Sequence, residues 1–232
     1  MIDAMIISVQ EPQLKRCVEA VRNQTVPFDT TYHLDSIIPE SEAFKRGMKL
    51  VAGKWVMKID GDMVLYPDAV EIVTAYVNRN DMGVCGYYFG LHDTFLDLNM
   101  GYCGVLRTNL YQSVAGERRN RLSEERKTID ILRKKGWVAK KTLKVIVGTH
   151  FDKPDEFQVF RKFYCTGVRE NDNSFNLNRL SQLREKTGDP LYSLALDAIS
   201  FAKTKNRYYP GSRNIEFDRK LYEEFKHENL SC

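Results

Sequence analysis

The chain has 232 residues, 43% hydrophobic and 28% charged. That is long enough to bury one α/β core, and too apolar for a disordered or fibrous chain. The net charge of +4 is uneven: from residue 107 to 144, twelve Lys and Arg stand against four Asp and Glu, so the rest is net −4.

In chain order, residues 5–9 form a short apolar run that predicts a buried strand. Pro12 opens a helix, a position suited to its fixed φ and missing donor. Leu14, Cys17, Val18 and Val21 give that helix an apolar stripe at i, i+3, i+4 and i+7. Residues 31–34 predict a second strand ending at Asp35, and 41–52 a helix with Phe44, Met48 and Val51 on one face and Gly53 as its C-terminal cap. Residues 55–59 predict a third strand running into Asp60-Gly61-Asp62. Pro67 opens a third helix with Val70, Val73 and Val77 inward, and 82–89 read as a strand. Residues 90–104 read as loop-rich, with Gly101 and Gly104 as breakers. A helix over 123–135, closed by Gly136, turns Ile129 and Leu132 inward; 143–147 form a strand, with His150 just beyond. From Pro154 the pattern is helical, with Phe157, Phe160 and Tyr164 on one face, and helices over 177–186 and 192–203 lead into a polar tail. Short apolar runs alternating with helical stripes predict an α/β fold with a largely parallel sheet.

Asp60-Gly61-Asp62 places two carboxylates around a glycine at the end of a hydrophobic strand. In open α/β sheets ligands bind beyond the carboxyl ends of the strands. Hard carboxylate oxygens suit Mg²⁺ or Mn²⁺, whose shells are commonly completed by phosphate and water. On these three residues alone a metal site and a plain strand-ending turn both remain open, because Asp-Gly is common in turns.

The wider context favours the metal site. The stretch SEAFKRGMKLVAGKWVMKIDGDMVLYPDAVE, residues 41–71, resembles the centre of family-2 glycosyltransferases of the GT-A type: Gly47 in a helix, Ala52-Gly53, a strand from Trp55 to Ile59, the DxD motif, then Pro67. Ile6-Ile7-Ser8-Val9 and LKRCVEAVRNQT (residues 14–25) are similar to that family's opening strand and helix. The resemblance covers about residues 5–168. It implies a Rossmann-like, mixed and mainly parallel sheet flanked by helices over residues 1–170; beyond its reach, the helical patterns predict a small helical extension over 171–232 packed on that domain. It also implies donor contacts at Ser8, Gln10, Glu11, Asp35, Lys45, Asp60 and Gly61. Asp35 stands where the family has a nucleobase-contacting Asp, although Ser36-Ile37-Ile38 replace the acidic and Gly-Ser residues that usually follow.

The resemblance further implies metal ligands at Asp60, Asp62 and His150 for Mn²⁺ or Mg²⁺, and an acceptor side at Gly104 and Arg107. Counting back from Gly136-Trp137 places Glu124-Glu125 on the family's catalytic acidic pair, with Glu125 as general base and Glu124 or Asp130 as alternatives. A helix N-terminus favours the ionised form that a base needs. Lys153, Arg161 and Lys162 are weaker candidates for phosphate neighbours, a solvated helix face being the simpler reading of each.

The implied activity is a metal-dependent, inverting transfer of a sugar from a nucleotide-diphosphate sugar, UDP being the family's commonest carrier, to a glycan or lipid-linked hydroxyl, as in polysaccharide biosynthesis. Two other readings are a sugar-phosphate nucleotidyltransferase, whose Gly-rich basic loop is not evident after the first strand, and a non-catalytic glycan- or nucleotide-binding protein. Five scattered cysteines without a CxxC pair argue against structural zinc and for a reducing compartment. Asp3 and a short apolar run do not fit a signal peptide, and no segment has the length of a membrane span, so a cytoplasmic protein is expected. The basic segment 107–144 could give it peripheral contact with anionic headgroups. Without an RNP-like motif, zinc finger or helix-turn-helix, nucleic acid is not an expected partner.

Overall fold

The computed structural model describes residues 1–9, 11–37, 40–79, 81–114, 124–169, 174–205 and 215–230, leaving aside the side chains of 100, 101, 124–127, 169, 174, 175, 215, 229 and 230. The chain divides into two units, Met1–Asp152 and Lys153–Cys232.

In the first unit the elements follow as β1 (Ile2–Ser8), α1 (Leu14–Arg22), β2 (Thr31–Asp35), α2 (Glu40–Leu50), β3 (Trp55–Asp60), β4 (Met63–Leu65), α3 (Ala69–Val77), β5 (Val84–Asp93), β6 (Leu98–Arg107), α4 (Thr108–Val114), α5 (Glu124–Lys134) and β7 (Val138–His150). The sheet order is β2-β1-β3-β6-β5-β7-β4. It is mixed: β2, β1 and β3 run parallel, as the βαβα pattern predicts, whereas β6 enters antiparallel to both β3 and β5.

All seven residues of β1 are buried, because helices cover the sheet on both faces. Side chains alternate across a strand. Ala4 and Ile6 therefore join Cys17, Val21, Met57, Ile59 and Val73, while Met5 and Ile7 join Phe44, Met48, Val56, Leu106 and Leu132. Truncating a fully buried aliphatic such as Ile6 to Ala typically costs about 2–5 kcal/mol. Gln24, buried after α1, donates to Tyr66 O and accepts from Val70 N, so it ties the end of α1 to the start of α3.

The largest differences from the sequence expectation lie in two stretches. Residues 90–104 are not loop-rich; they belong largely to the β5–β6 hairpin, whose turn spans 94–97. Gly90 serves close packing there: a Cβ on it would lie 2.3 Å from Leu143 O of β7. Within the polar tail, Ile215–Leu230 form a helix.

That helix closes the second unit, which comprises α6 (Glu156–Arg169), α7 (Ser174–Thr187), α8 (Pro190–Lys205) and α9 (Ile215–Leu230). Leu221, Tyr222 and Phe225 of α9 are buried. The Phe225 ring lies 4.8 Å from Phe160 of α6 and 5.3 Å from Phe201 of α8. Arg161 Nε lies 2.7 Å from Oδ2 of the buried Asp218, joining α6 to α9. A stripe of three apolar residues is enough to dock a helix whose remaining surface is charged.

Candidate active site

Parallel pairing brings the carboxyl ends of three strands to one edge: Ser8 pairs with Asp35, and Ile7 with Asp60. Ser8 Oγ donates to Asp35 Oδ1 at 2.5 Å and lies 2.9 Å from His33 Nε2. Ser36, at a φ of +56°, turns the chain back so that its N–H donates to Ser8 O at 2.9 Å. Glu11 folds over the same edge, its Oε2 accepting from Val9 N at 2.6 Å.

Gly61 is there for space. A Cβ on it would lie 2.7 Å from Glu11 Oε2 and 2.9 Å from Ser8 Cβ, and its N–H donates to Ile7 O. The two carboxylates beside it go separate ways. Asp60 Oδ1 accepts from the buried Lys58 Nζ at 2.8 Å, and Lys58 also pairs with Glu40 at 3.2 Å. Asp62 Oδ2 lies 3.4 Å from His150 Nε2, each side chain about a quarter exposed at 23%. The pairing of β4 with β7, Met63 opposite His150, sets this approach. Behind the imidazole stands Asp93, fully buried, with Oδ2 3.2 Å from His150 Nδ1 and Oδ1 accepting from Leu96 N at 2.9 Å.

The floor beneath is Cys17, whose thiol donates to Asp60 O at 3.6 Å. Burial above all, and then the charges of Asp62, Asp60 and Glu11, push it up to about 12. Gln13 and Arg16 hold Asp152, just after His150: Gln13 Nε2 donates to its backbone O at 2.8 Å, and Arg16 pairs with its carboxylate.

Among the described residues no group of three or more His, Cys, Asp or Glu is poised to hold a metal ion. The Asp62–His150 pair fits a more open kind of site. Ligands of one octahedral dication stand about 3 Å apart when each bond is near 2.1 Å. One carboxylate and one imidazole backed by a second carboxylate are donors that Mn²⁺ accepts, with the other positions left to water and phosphate.

The structure thus gathers Ser8, Glu11, Asp35, Asp60, Gly61, Asp62 and His150 at one edge. Lys45 stands half-buried on α2. Gly104 pairs with Lys58, two residues before Asp60. Arg107 is not brought to this edge: β6 is antiparallel to β3, so Arg107 pairs with Trp55, at the other end of the strand from Asp60. Gln10 lies outside the described residues, as do the side chains of Glu124 and Glu125, whose backbone opens α5. Asp130 is exposed and pairs with Arg133 at 3.7 Å. Lys153, Arg161 and Lys162 belong to the second unit, where Arg161 has the structural role given above. Sequence reasoning missed Asp93, Lys58 and Glu40.

This sheet order, with DxD at the end of β3 and helices on both faces, is the GT-A fold of glycosyltransferases. A mannosyltransferase, PcManGT from Pyrobaculum calidifontis, solved with GDP-Man and Mn²⁺, aligns over 90% of this chain and 76% of its own, at a TM-score of 0.53 and 10% identity. Glucosyl-3-phosphoglycerate synthase from Mycobacterium tuberculosis, solved with Mn²⁺, UDP and phosphoglyceric acid, covers 66% of this chain and 72% of its own, at 0.49 and 13%. TarS residues 1–349 from S. aureus cover 87% and 81%, at 0.48 and 11%. No protein-family model and no curated protein matches the sequence. No helix among the described residues is long and apolar enough to cross a membrane.

Proposed function

We propose that the chain is a metal-dependent glycosyltransferase. It moves a sugar from a nucleotide-diphosphate sugar, with UDP as the expected carrier, to a hydroxyl of a glycan or lipid-linked acceptor, inverting the anomeric carbon. The observation that carries this reading is the approach of Asp62 Oδ2 to within 3.4 Å of His150 Nε2 at the carboxyl edge of a GT-A sheet. Mn²⁺ or Mg²⁺, when bound, supplies positive charge against the departing diphosphate. Asp62 and His150, with Asp60 beside them, would hold the ion, and Asp93 fixes the imidazole with Nε2 toward Asp62.

Ser8, Gln10, Glu11 and Asp35 form the nucleoside side; Asp35 offers a carboxylate held in place by Ser8 and Ser36. Asp60, Gly61 and Lys45 form the donor side next to it, with Lys58 holding Asp60 in place. Glu125, in the first turn of α5, takes the proton of the acceptor hydroxyl; Glu124 and Asp130 are the alternatives. The hydroxyl oxygen then bonds to the anomeric carbon as the bond to the diphosphate breaks. Gly104 lies toward the acceptor side.

The test is thermal stabilisation by a panel of nucleotide diphosphates and nucleotide sugars, each with Mn²⁺, Mg²⁺ or EDTA, followed by transfer assays with the donor so found. A ligand that binds the native state raises the melting temperature by mass action. The expected result is a shift for one nucleotide that needs metal and is lost in Asp62→Ala. No shift at millimolar ligand would overturn the reading in favour of a binding protein of different specificity. Release of pyrophosphate from a nucleoside triphosphate and a sugar phosphate would replace it with a nucleotidyltransferase.

A further inference from the structure

At the opposite end of β3 from Asp60, a half-open cavity of about 330 Å³ is lined by Val51, Ala52, Gly53, Lys54, Arg107, Thr108, Asn109 and Gln112. Two of these residues are cations and none is an acid. We propose that this cavity binds a phosphate monoester of sugar size, at a site separate from the nucleotide-sugar edge. The proposal is independent of the reading of that edge.

The wall is built and held. From behind, the buried Asp3 carboxylate accepts from Gly53 N at 2.7 Å and Ala52 N at 3.3 Å. A Cβ on Gly53 would run into that carboxylate at 2.7 Å, so only glycine lets the loop close on it. From the other side, Gln112 Nε2 donates to Met48 O at 2.8 Å and Val51 O at 3.0 Å. Thr108 N donates to Lys54 O at 3.1 Å and closes the base. The 51–54 backbone is therefore fixed before any ligand arrives, which keeps the ordering cost of binding low.

The donors are also prearranged. The Arg107 guanidinium lies over the Trp55 ring at 5.1 Å and near that of Trp137 at 5.9 Å, so it is held beside two aromatic rings. It pairs with no carboxylate among the described residues, and its buried Nε has no hydrogen-bond partner there. Thr108, only 4% exposed, has an Oγ1 that is likewise without a partner among the described residues. A phosphate monoester carries about −1.5 to −2 charge at neutral pH, which two cations balance. A bare phosphate would leave much of the cavity empty; the remaining wall, with the Asn109 side chain and the backbone of 51–53, suits a polar body.

The protein supplies its own reporter, because its two tryptophans are Trp55 and Trp137, both beside Arg107. Intrinsic tryptophan emission is followed during titration with glucose 6-phosphate, inorganic phosphate and glucose. Glucose 6-phosphate should give a saturable change, inorganic phosphate a weaker one and glucose none. Lys54→Gln, an exposed position whose loss leaves folding intact by circular dichroism, should weaken glucose 6-phosphate about tenfold, as should Asn109→Asp, which adds a repelling charge. Asp62→Ala should retain the response. The proposal fails if no saturable change is seen, if glucose acts as well as its phosphate, or if folded Lys54→Gln and Asn109→Asp respond like the wild type. Equal affinity for inorganic phosphate would remove the sugar body from it. Loss of the response in Asp62→Ala would move the ligand to the other edge.

Discussion

The two ends of β3 carry side-chain clusters of contrasting charge. At the Asp60 end, Glu11, Asp35, Asp60, Asp62 and Asp93 gather, with Lys58 and His150 facing them. At the Trp55 end, Lys54 and Arg107 line a cavity without an acidic wall residue, and Asp3 is turned away into the backbone of the loop. Both ends suit phosphate, by different physics. A cluster of carboxylates repels a diphosphate unless a dication stands between them. A cationic pocket attracts an anion directly, and that attraction weakens as salt screens it.

Substitutions can break this contrast, beginning with the chemistry. Glu125→Gln should lower transfer by about 10²–10⁴, the usual worth of a general base, while metal-dependent nucleotide stabilisation persists. Steady-state transfer and melting curves on the same preparation check both halves; wild-type transfer would remove Glu125 from the base role. Asp62→Ala should cost more than the ~10–100-fold typical of an outer partner, and it should abolish the metal-dependent stabilisation by nucleotide. Unchanged metal-dependent affinity would take Asp62 off the ligand list.

Asp93→Asn should weaken Mn²⁺ affinity by about 10–100-fold, because the imidazole loses the charged partner that orients it. Its signature is rescue of transfer by excess Mn²⁺, which a folding defect would not show. The smallest effect sharpens the other end: moderate salt should weaken the tryptophan response to glucose 6-phosphate, and Lys54→Gln should flatten that salt dependence. A salt-insensitive response would mean that the cations do not carry the binding.

Much of this was legible in the sequence. Asp60, Asp62 and His150 follow strand-like runs, and strand ends are where open α/β sheets place chemistry, so their convergence could be anticipated. Asp93 could not, because its role depends on β5 and β7 lying side by side in a register that sets it opposite His150, 57 residues away. No local pattern encodes such a pairing. Arg107 went astray for a related reason: a strand's periodicity is the same in either direction, and β6 runs antiparallel to β3, which carries Arg107 away from Asp60. The C-terminal helix was hidden because Leu221, Tyr222 and Phe225 are diluted by charged neighbours.

One small residue makes the acidic end observable in time. Cys17 lies buried under Asp60, and its thiol is held protonated at neutral pH by its surroundings. Only a thiolate attacks an aromatic disulfide reagent, so Cys17 reacts when the floor of the site opens and water reaches it. Its labelling rate is therefore a clock for that local opening. A nucleotide and metal that draw Asp62 and His150 together should slow this clock, while Cys85 and Cys103, buried in β5 and β6, keep their own pace.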